Sequence, residues 1–229
     1  MGRQDRRVTV IVLLGAPGAG KGTQAVLLAE RLGVPHVATG DLFRAAVRDN
    51  SPIGLEARRF MERGQLVPDD ITIEMLLERL AQPDASGGAI LDGFPRNRAQ
   101  AEALDRALTE RGSGVDLAVN IEVPSEELVQ RLSGRWVCQE AGHVYNEATN
   151  PPLTSGICDI DGSPLVQRED DRADTIRARL DLQLESLRDV VDHYAQTGIL
   201  RTVDGRQSID EVAKAVHDVV THETGKDAA

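Results

Sequence analysis

The residues with the clearest chemical purpose form one run, Gly15-Ala-Pro-Gly-Ala-Gly-Lys21-Gly-Thr23, set between an apolar stretch and an amphipathic one. Glycines at this density let successive backbone N–H groups converge on phosphate oxygens. A helix opening directly after them adds the positive end of its dipole, and a lysine at the junction reaches the outer phosphates. The run predicts a phosphate loop for a nucleoside triphosphate. One position departs from the general pattern, which wants Ser or Thr directly after the lysine; here Gly22 sits there and Thr23 follows. Mg²⁺ would then be held largely through water and phosphate rather than by a hydroxyl. Arg44, Arg96, Arg131, Arg135, Arg168 and Arg179 lie in short motifs downstream. A lone arginine is usually a solvated surface charge. Several bracketing a phosphate loop are different, because planar, permanently charged forks suit phosphate oxygens.

The downstream segments sharpen that reading. Thr39-Gly-Asp-Leu-Phe-Arg44, Asp92-Gly-Phe-Pro-Arg96 with Gln100, Arg131-Leu-Ser-Gly-Arg135, and Gln167-Arg168-Glu-Asp-Asp171 with Arg179 follow the loop in that order. Their order and spacing resemble adenylate kinases over nearly the whole chain. The excursion between Arg135 and Arg168 is similar to the lid of the long-form members. The resemblance implies reversible phosphoryl transfer, ATP + AMP = 2 ADP, with Mg²⁺ entering as ATP-Mg.

Carried over by position, the resemblance implies that Gly18, Ala19, Gly20, Lys21, Gly22 and Thr23 hold the triphosphate. Val144, Tyr145 and Gln207 would flank adenine and ribose. Thr39, Gly40, Arg44, Gln65, Leu66, Val67, Gly93, Phe94, Pro95, Arg96 and Gln100 would form the AMP site. Arg131 and Arg135 would lie over the ATP phosphates, and Arg168 and Arg179 would bridge toward the acceptor phosphate. Phosphoryl transfer asks for positioning and charge neutralisation more than proton chemistry. Lys21, Arg96, Arg131, Arg135, Arg168 and Arg179 are therefore expected to stabilise the transition state, with no dedicated general base. Arg131 and Arg135, four apart at a helix end, are expected to project from one face, with Gly134 as a hinge. Asp92 is either a holder of Mg²⁺-bound water or a turn carboxylate. Gln100 can donate and accept toward an adenine edge.

Many long-lid relatives carry four zinc ligands as Cys-x-x-Cys and Cys-x-x-Cys/Asp. This chain has Cys138-Gln-Glu-Ala141 and Cys158-Asp-Ile-Asp161, so alanine takes the place of one ligand. Three candidates remain where a structural zinc site wants four. His143 could complete the set, although a loop histidine is more often a polar surface residue. The expectation is a lid without zinc, held by packing and hydrogen bonds, with no metal ligand assigned. A Cys138–Cys158 disulfide is conceivable but not expected in a reducing cytosol.

These groups need a scaffold. Residues 8–14 are nearly continuously apolar and β-branched, as a central parallel strand covered on both faces requires. Similar strands are predicted at 89–91, 117–123 and 199–203, with a shorter one at 36–38. Helical patterns fall at 69–81, 98–111, 125–132 and 172–196, after the helix that follows the loop and closes at Gly33. A last helix is expected from Asp210 to about His222 behind Ser208 as N-cap. The alternation predicts an α/β fold: a P-loop doubly wound parallel sheet with helices on both faces. Two stretches interrupt it. Residues 38–67 are expected to form two short helices, the second capped by Ser51 with Pro52 at its first turn. Residues 134–171, rich in Gly, Pro, Asn and Asp, are expected to be a small β-rich excursion. The expected domains are a core (1–37, 68–133 and 172–229), an AMP flap (38–67) and a lid (134–171), with a frayed tail at 224–229.

Composition narrows the partners. The 229-residue chain is 41% hydrophobic and carries a formal net charge of -11. That field repels nucleic acid and anionic membranes, and 3% aromatic residues offers little stacking surface. Arg3, Arg6 and Arg7 before an apolar run faintly imitate a secretory signal, but a glycine-rich loop follows in place of a cleavage site. No apolar run is long enough to span a bilayer. A cytoplasmic monomer using small-molecule substrates is expected. The rival readings are a pyrimidine monophosphate kinase, a nucleotide-dependent switch, and a zinc-knuckle module explaining only residues 138–161.

Overall fold

The computed structural model describes residues 9–63 and 65–225. The predicted strand residue Val8, the N-terminal arginines, Gly64 and residues 226–229 of the expected tail lie outside that range. The first strand, β1 (Thr9–Leu14), is buried along its whole length. Chain order continues with α1 (Lys21–Leu32), β2 (His36–Ala38), α2 (Thr39–Arg48), α3 (Pro52–Met61), α4 (Asp69–Leu80), β3 (Gly88–Asp92), α5 (Arg98–Glu110) and β4 (Val115–Glu122). It ends with α6 (Ser125–Ser133), β5 (Arg135–Cys138), β6 (Val144–Asn146), β7 (Leu165–Val166), α7 (Ala173–Gln196), β8 (Leu200–Asp204) and α8 (Ile209–Thr224).

Five strands form a parallel sheet in the order β2-β3-β1-β4-β8. The unbroken apolar run of β1 has its reason in this position. Ile11 and Leu13 enter a core with α1, α6 and α8, while Val10, Val12 and Leu14 enter a second core on the other face with α5. Helix α7 spans both faces, giving Ile176 and Leu180 to the first core and Val190 and Tyr194 to the second. The predicted α/β architecture is the one observed. Strand edges moved by one or two residues, since ladders extend into flanking polar residues such as Asp92 and Asp204.

The two interruptions take their predicted character. Helices α2 and α3 enclose a small core of Phe43, Ala57 and Val67. Ser51 caps α3, accepting from the Gly54 N–H at 3.1 Å, with Pro52 opening the helix. Between residues 135 and 166, β5 pairs antiparallel with both β6 and β7. Cys138, Tyr145, Cys158 and Leu165 fill a separate core there, with Trp136 against it.

Helix caps show which ends need a partner. α8 begins with a reciprocal capping box between Ser208 and Glu211, and Asn97 caps α5. α1 has no side-chain cap and no acidic residue in its first turn, so its leading N–H groups and positive dipole end stay available to an anion. Ser208→Ala should lower stability by about 1 kcal/mol in urea unfolding, because the Glu211 N–H loses its acceptor and the Glu211 carboxylate loses the hydroxyl that donates to it.

Candidate active site

The phosphate loop joins the carboxyl end of β1 to α1. Gly18 adopts φ +85°, in the left-handed region, and a Cβ there would come within 3.0 Å of the Leu132 side chain. The loop is thereby pressed against α6. Lys21 Nζ donates to the Ala16 carbonyl at 3.0 Å, folding the lysine back over the loop. Gly22, the departure from the usual pattern, has a steric reason: a Cβ would stand 3.3 Å from Asp92 Oδ2. Glycine lets the helix start and the end of β3 approach without displacing the Asp92 carboxylate.

Charge is concentrated around this junction. Burial pushes Lys21 from 10.5 down to about 8, with Arg96, Arg179 and Arg135 adding to the push and Asp92 opposing it. Burial also brings Arg96 down to about 10 and Arg168 to about 9. Burial alone would raise Asp92, but His36, Lys21 and Arg96 outweigh it and hold the carboxyl below its usual range. Asp92 is thus a half-buried, ionised carboxylate beside the lysine. His36, which the sequence did not single out, places Nε2 3.6 Å from it.

Beside the loop lies a cavity whose walls come from α2, the segment after α3, the Asp92–Arg96 turn, α5 and α7. Thr39, Gly40, Arg44, Gln65, Leu66, Val67, Arg96, Gln100 and Arg179 line it, as do Phe43, Met61, Thr72, Asp170 and Gln183. Of the second group, Phe43 and Asp170 lie inside quoted motifs without having received a role, and Met61, Thr72 and Gln183 carried no motif signal. Thr39 Oγ1 donates to the Gly93 carbonyl at 2.8 Å, and Arg96 Nε donates to the same oxygen at 2.6 Å. Gly93 has φ +72°, and a Cβ there would stand 2.9 Å from Arg96 Nη2, so only glycine lets the guanidinium fold back. Phe94, 1% exposed, belongs to the second core and anchors the turn with Pro95 behind a cis peptide. Arg44 pairs with Asp41 on the first turn of α2.

Several expected placements change. Arg131 and Arg135 do not share a helical face, because α6 ends at Ser133 and Arg135 opens β5. Arg131 Nη2 donates to Glu127 at 2.6 Å and to the Gly205 carbonyl at 2.8 Å, while Arg135 turns to Asp171. Gln100 is 1% exposed and its amide is engaged within the protein. Its Oε1 accepts from the Arg96 N–H at 2.7 Å and its Nε2 donates to Asp69 at 2.7 Å, which fixes the amide plane and leaves one lone pair and one N–H unspent. Tyr145 packs inside the small core, accepting from the Asp159 N–H at 2.8 Å, whereas Val144 and Gln207 are exposed.

Four potential ligand atoms meet beneath β5. Those of Cys138, His143, Cys158 and Asp161 all lie within 4.8 Å of one another. Cys138 Sγ is 3.2 Å from Asp161 Oδ2, and His143 Nδ1 is 3.3 Å from Cys158 Sγ. The expectation of a zinc-free lid rested on a missing fourth ligand. His143 brings a fourth potential ligand atom to the group.

A phosphate loop at an uncapped helix, an arginine-lined cavity beside it and a carboxylate between them coincide with what comparison of whole chains finds. The family model described as Adenylate kinase matches residues 13–199. The chain belongs to the adenylate kinase family. The adenylate kinase of Staphylococcus aureus strain Mu50 is 45% identical over 212 residues, covering 93% of this chain and 99% of that relative. The adenylate kinase of Staphylococcus epidermidis strain ATCC 12228 matches with the same identity and coverage. Among the described residues of this family member, no helix is long and apolar enough to cross a membrane.

The lysine shift sets a sign. A native pKa below the unfolded one means the unfolded chain holds the extra proton between pH 8 and 10.5, so stability contributed by Lys21 rises across that window. Below pH 8 the buried charge exerts its full cost. Without nucleotide, Lys21→Met should be more stable than the parent at neutral pH. Urea midpoints should converge as pH climbs through the window.

Proposed function

We propose that this enzyme transfers the terminal phosphoryl group of ATP-Mg²⁺ to AMP and back, ATP + AMP = 2 ADP. The observation carrying the proposal is that two anion-binding places share one wall of cations. Lys21 and the open end of α1 face one side, and the arginine-lined cavity lies on the other, with Arg96, Arg135 and Arg179 close enough to perturb Lys21 between them. In-line transfer needs two phosphates held at such a boundary with their developing charge neutralised. Lys21, Arg96, Arg131, Arg135, Arg168 and Arg179 are the stabilisers. Gly18–Thr23 hold the triphosphate, and Thr39, Arg44, the Gln65–Val67 stretch and the Gly93–Arg96 turn hold AMP.

Mg²⁺ fits the donor set: Asp92 is a half-buried, ionised carboxylate, the ligand type this ion takes alongside waters and phosphate oxygens. Bound there, the ion would neutralise charge on the bridging phosphates. Water must be kept out, since it can also accept the phosphoryl group. Segments 38–67 and 134–171 are suited to cover AMP and ATP as flaps on the core. A site complete within one chain supports a monomer, and two free buried cysteines suit a reducing cytoplasm.

The lid group favours a structural ion. Two cysteine sulfurs, an imidazole nitrogen and a carboxylate oxygen within 4.8 Å of one another match the ligand types of zinc. The purified protein should carry one equivalent of zinc by elemental analysis, and a strong chelator should lower its melting temperature. Metal-free protein with an unchanged melting point would leave the lid to packing alone.

A coupled assay supplying ATP-Mg²⁺ with AMP, UMP, CMP or GMP in turn tests the reaction. ADP should form rapidly with AMP alone, and Arg96→Ala should lower the rate by about 10³-fold or more. Equal turnover of UMP or CMP would reassign the acceptor, and no transfer despite ATP binding would make the chain a nucleotide-dependent switch.

A further inference from the structure

Gln100 lines the arginine-lined cavity from the first turn of α5, and each end of its amide meets a group of fixed character. Oε1 accepts from the Arg96 backbone N–H, which can only donate. Nε2 donates to Asp69 Oδ1 at 2.7 Å, and a carboxylate can only accept. Turning the amide over would set its NH₂ against the Arg96 N–H and its oxygen against the carboxylate. Two repulsive contacts would replace two hydrogen bonds. The orientation is therefore determined from both sides.

Asp69 is itself braced. It is the first residue of α4, and Asn97 Nδ2 donates to its two oxygens at 2.9 and 3.1 Å. The same asparagine caps α5 by accepting from the Gln100 backbone N–H at 2.8 Å. Asn97 thus fixes both the backbone of Gln100 and the carboxylate that holds its side chain. Asp69 is not one of the described residues that line the cavity, so any effect it has on a ligand there passes through the glutamine. Among the described residues, the Gln100 amide keeps one lone pair and one N–H for that ligand.

We propose that Asp69 is a positioning residue for base recognition, locking the Gln100 amide in the orientation that selects a 6-aminopurine monophosphate over a 6-oxopurine one. The inference rests on the reading that Gln100 meets the base of AMP. Adenine presents an amino donor beside a ring-nitrogen acceptor. A 6-oxopurine presents the reverse, an oxygen acceptor beside a ring N–H donor. A glutamine free to flip serves either edge and discriminates weakly. One locked at both ends pairs with the first edge and opposes donor to donor and acceptor to acceptor on the second. A hydrogen bond to a carboxylate is about twice as strong as one between neutral groups, which suits it to hold the amide against that pull. The selectivity is thereby set 31 residues away in the chain, at the start of a different helix.

The test compares Kd for AMP and for inosine monophosphate by calorimetry on the full chain, with KM for ATP and melting temperature recorded alongside. Inosine monophosphate is the probe because it differs from AMP only at the base edge in question. Asp69→Ala should weaken AMP binding about tenfold while inosine monophosphate binds no worse, so the preference falls about tenfold and KM for ATP is unchanged. Asp70→Ala is the control. It removes the same charge from the first turn of α4 at an exposed position and should keep the parent's preference. Adding Asp69→Ala to Gln100→Ala should cost no further preference, because the carboxylate acts through the amide. An unchanged preference in Asp69→Ala, an equal loss in Asp70→Ala, or a loss that adds to that of Gln100→Ala would each overturn the inference. If Gln100→Ala itself keeps the parent's preference, the reading of Gln100 at the base fails first, and the positioning role with it. If Asp69→Ala does not fold, Asp69→Asn decides. Its neutral oxygen keeps the shape but makes the weaker bond, so the preference should fall by about threefold or more, and the parent's value would reject the lock.

Discussion

The cost of gathering positive charge away from water governs this structure. Lys21, Arg96, Arg168 and Arg179 are all shifted toward their neutral forms by burial, each aggravated by its neighbours. A site built to receive several phosphate charges must exist empty for part of its cycle, and in that state the cations have only protein to neutralise them. Asp92, Asp170 and Asp171 supply that neutralisation at three points, one at the end of β3 and two before α7. Everything else in the fold is arranged so that these few side chains arrive at one place.

The parallel sheet makes the arrival possible. The carboxyl ends of β1, β2 and β3 release the phosphate loop, the Thr39 turn and the Asp92–Arg96 turn toward the same edge. Because β1 is sealed on both faces by separate cores, its end is among the most rigid points in the molecule. The two inserted segments carry their own small cores, Phe43 with Ala57 and Val67 in one and the cysteine–tyrosine group in the other.

Much of this was legible in the sequence because it depends on local rules. The apolar run of β1, the Ser51 and Ser208 caps and the glycine closing α1 each follow from a few adjacent residues. The phosphate loop and the arginine motifs were legible for the same reason. What could not be seen was who pairs with whom across long separations. Arg135 meets a carboxylate 36 residues away, and Gln100 spends its amide on Arg96 and on Asp69, 31 residues away. Likewise, spacing left His143 as no more than a candidate for the missing ligand, whereas the turn of β5 into β6 brings it within 4.8 Å of Cys138, Cys158 and Asp161. Ligand spacing in a sequence records only one of the backbone paths by which a donor can reach a centre.

The meeting of residues 135 and 171 has an evolutionary consequence. A segment whose two ends are pinned together is connected to the rest of the chain as a branch, and changes in its length hardly alter the distance its ends must span. Insertions, deletions or outright exchange between those points leave the parallel sheet and its strand order untouched. The molecule thus has a natural graft point, at which a shorter loop or a differently stabilised cover could replace this one without redesign of the body beneath.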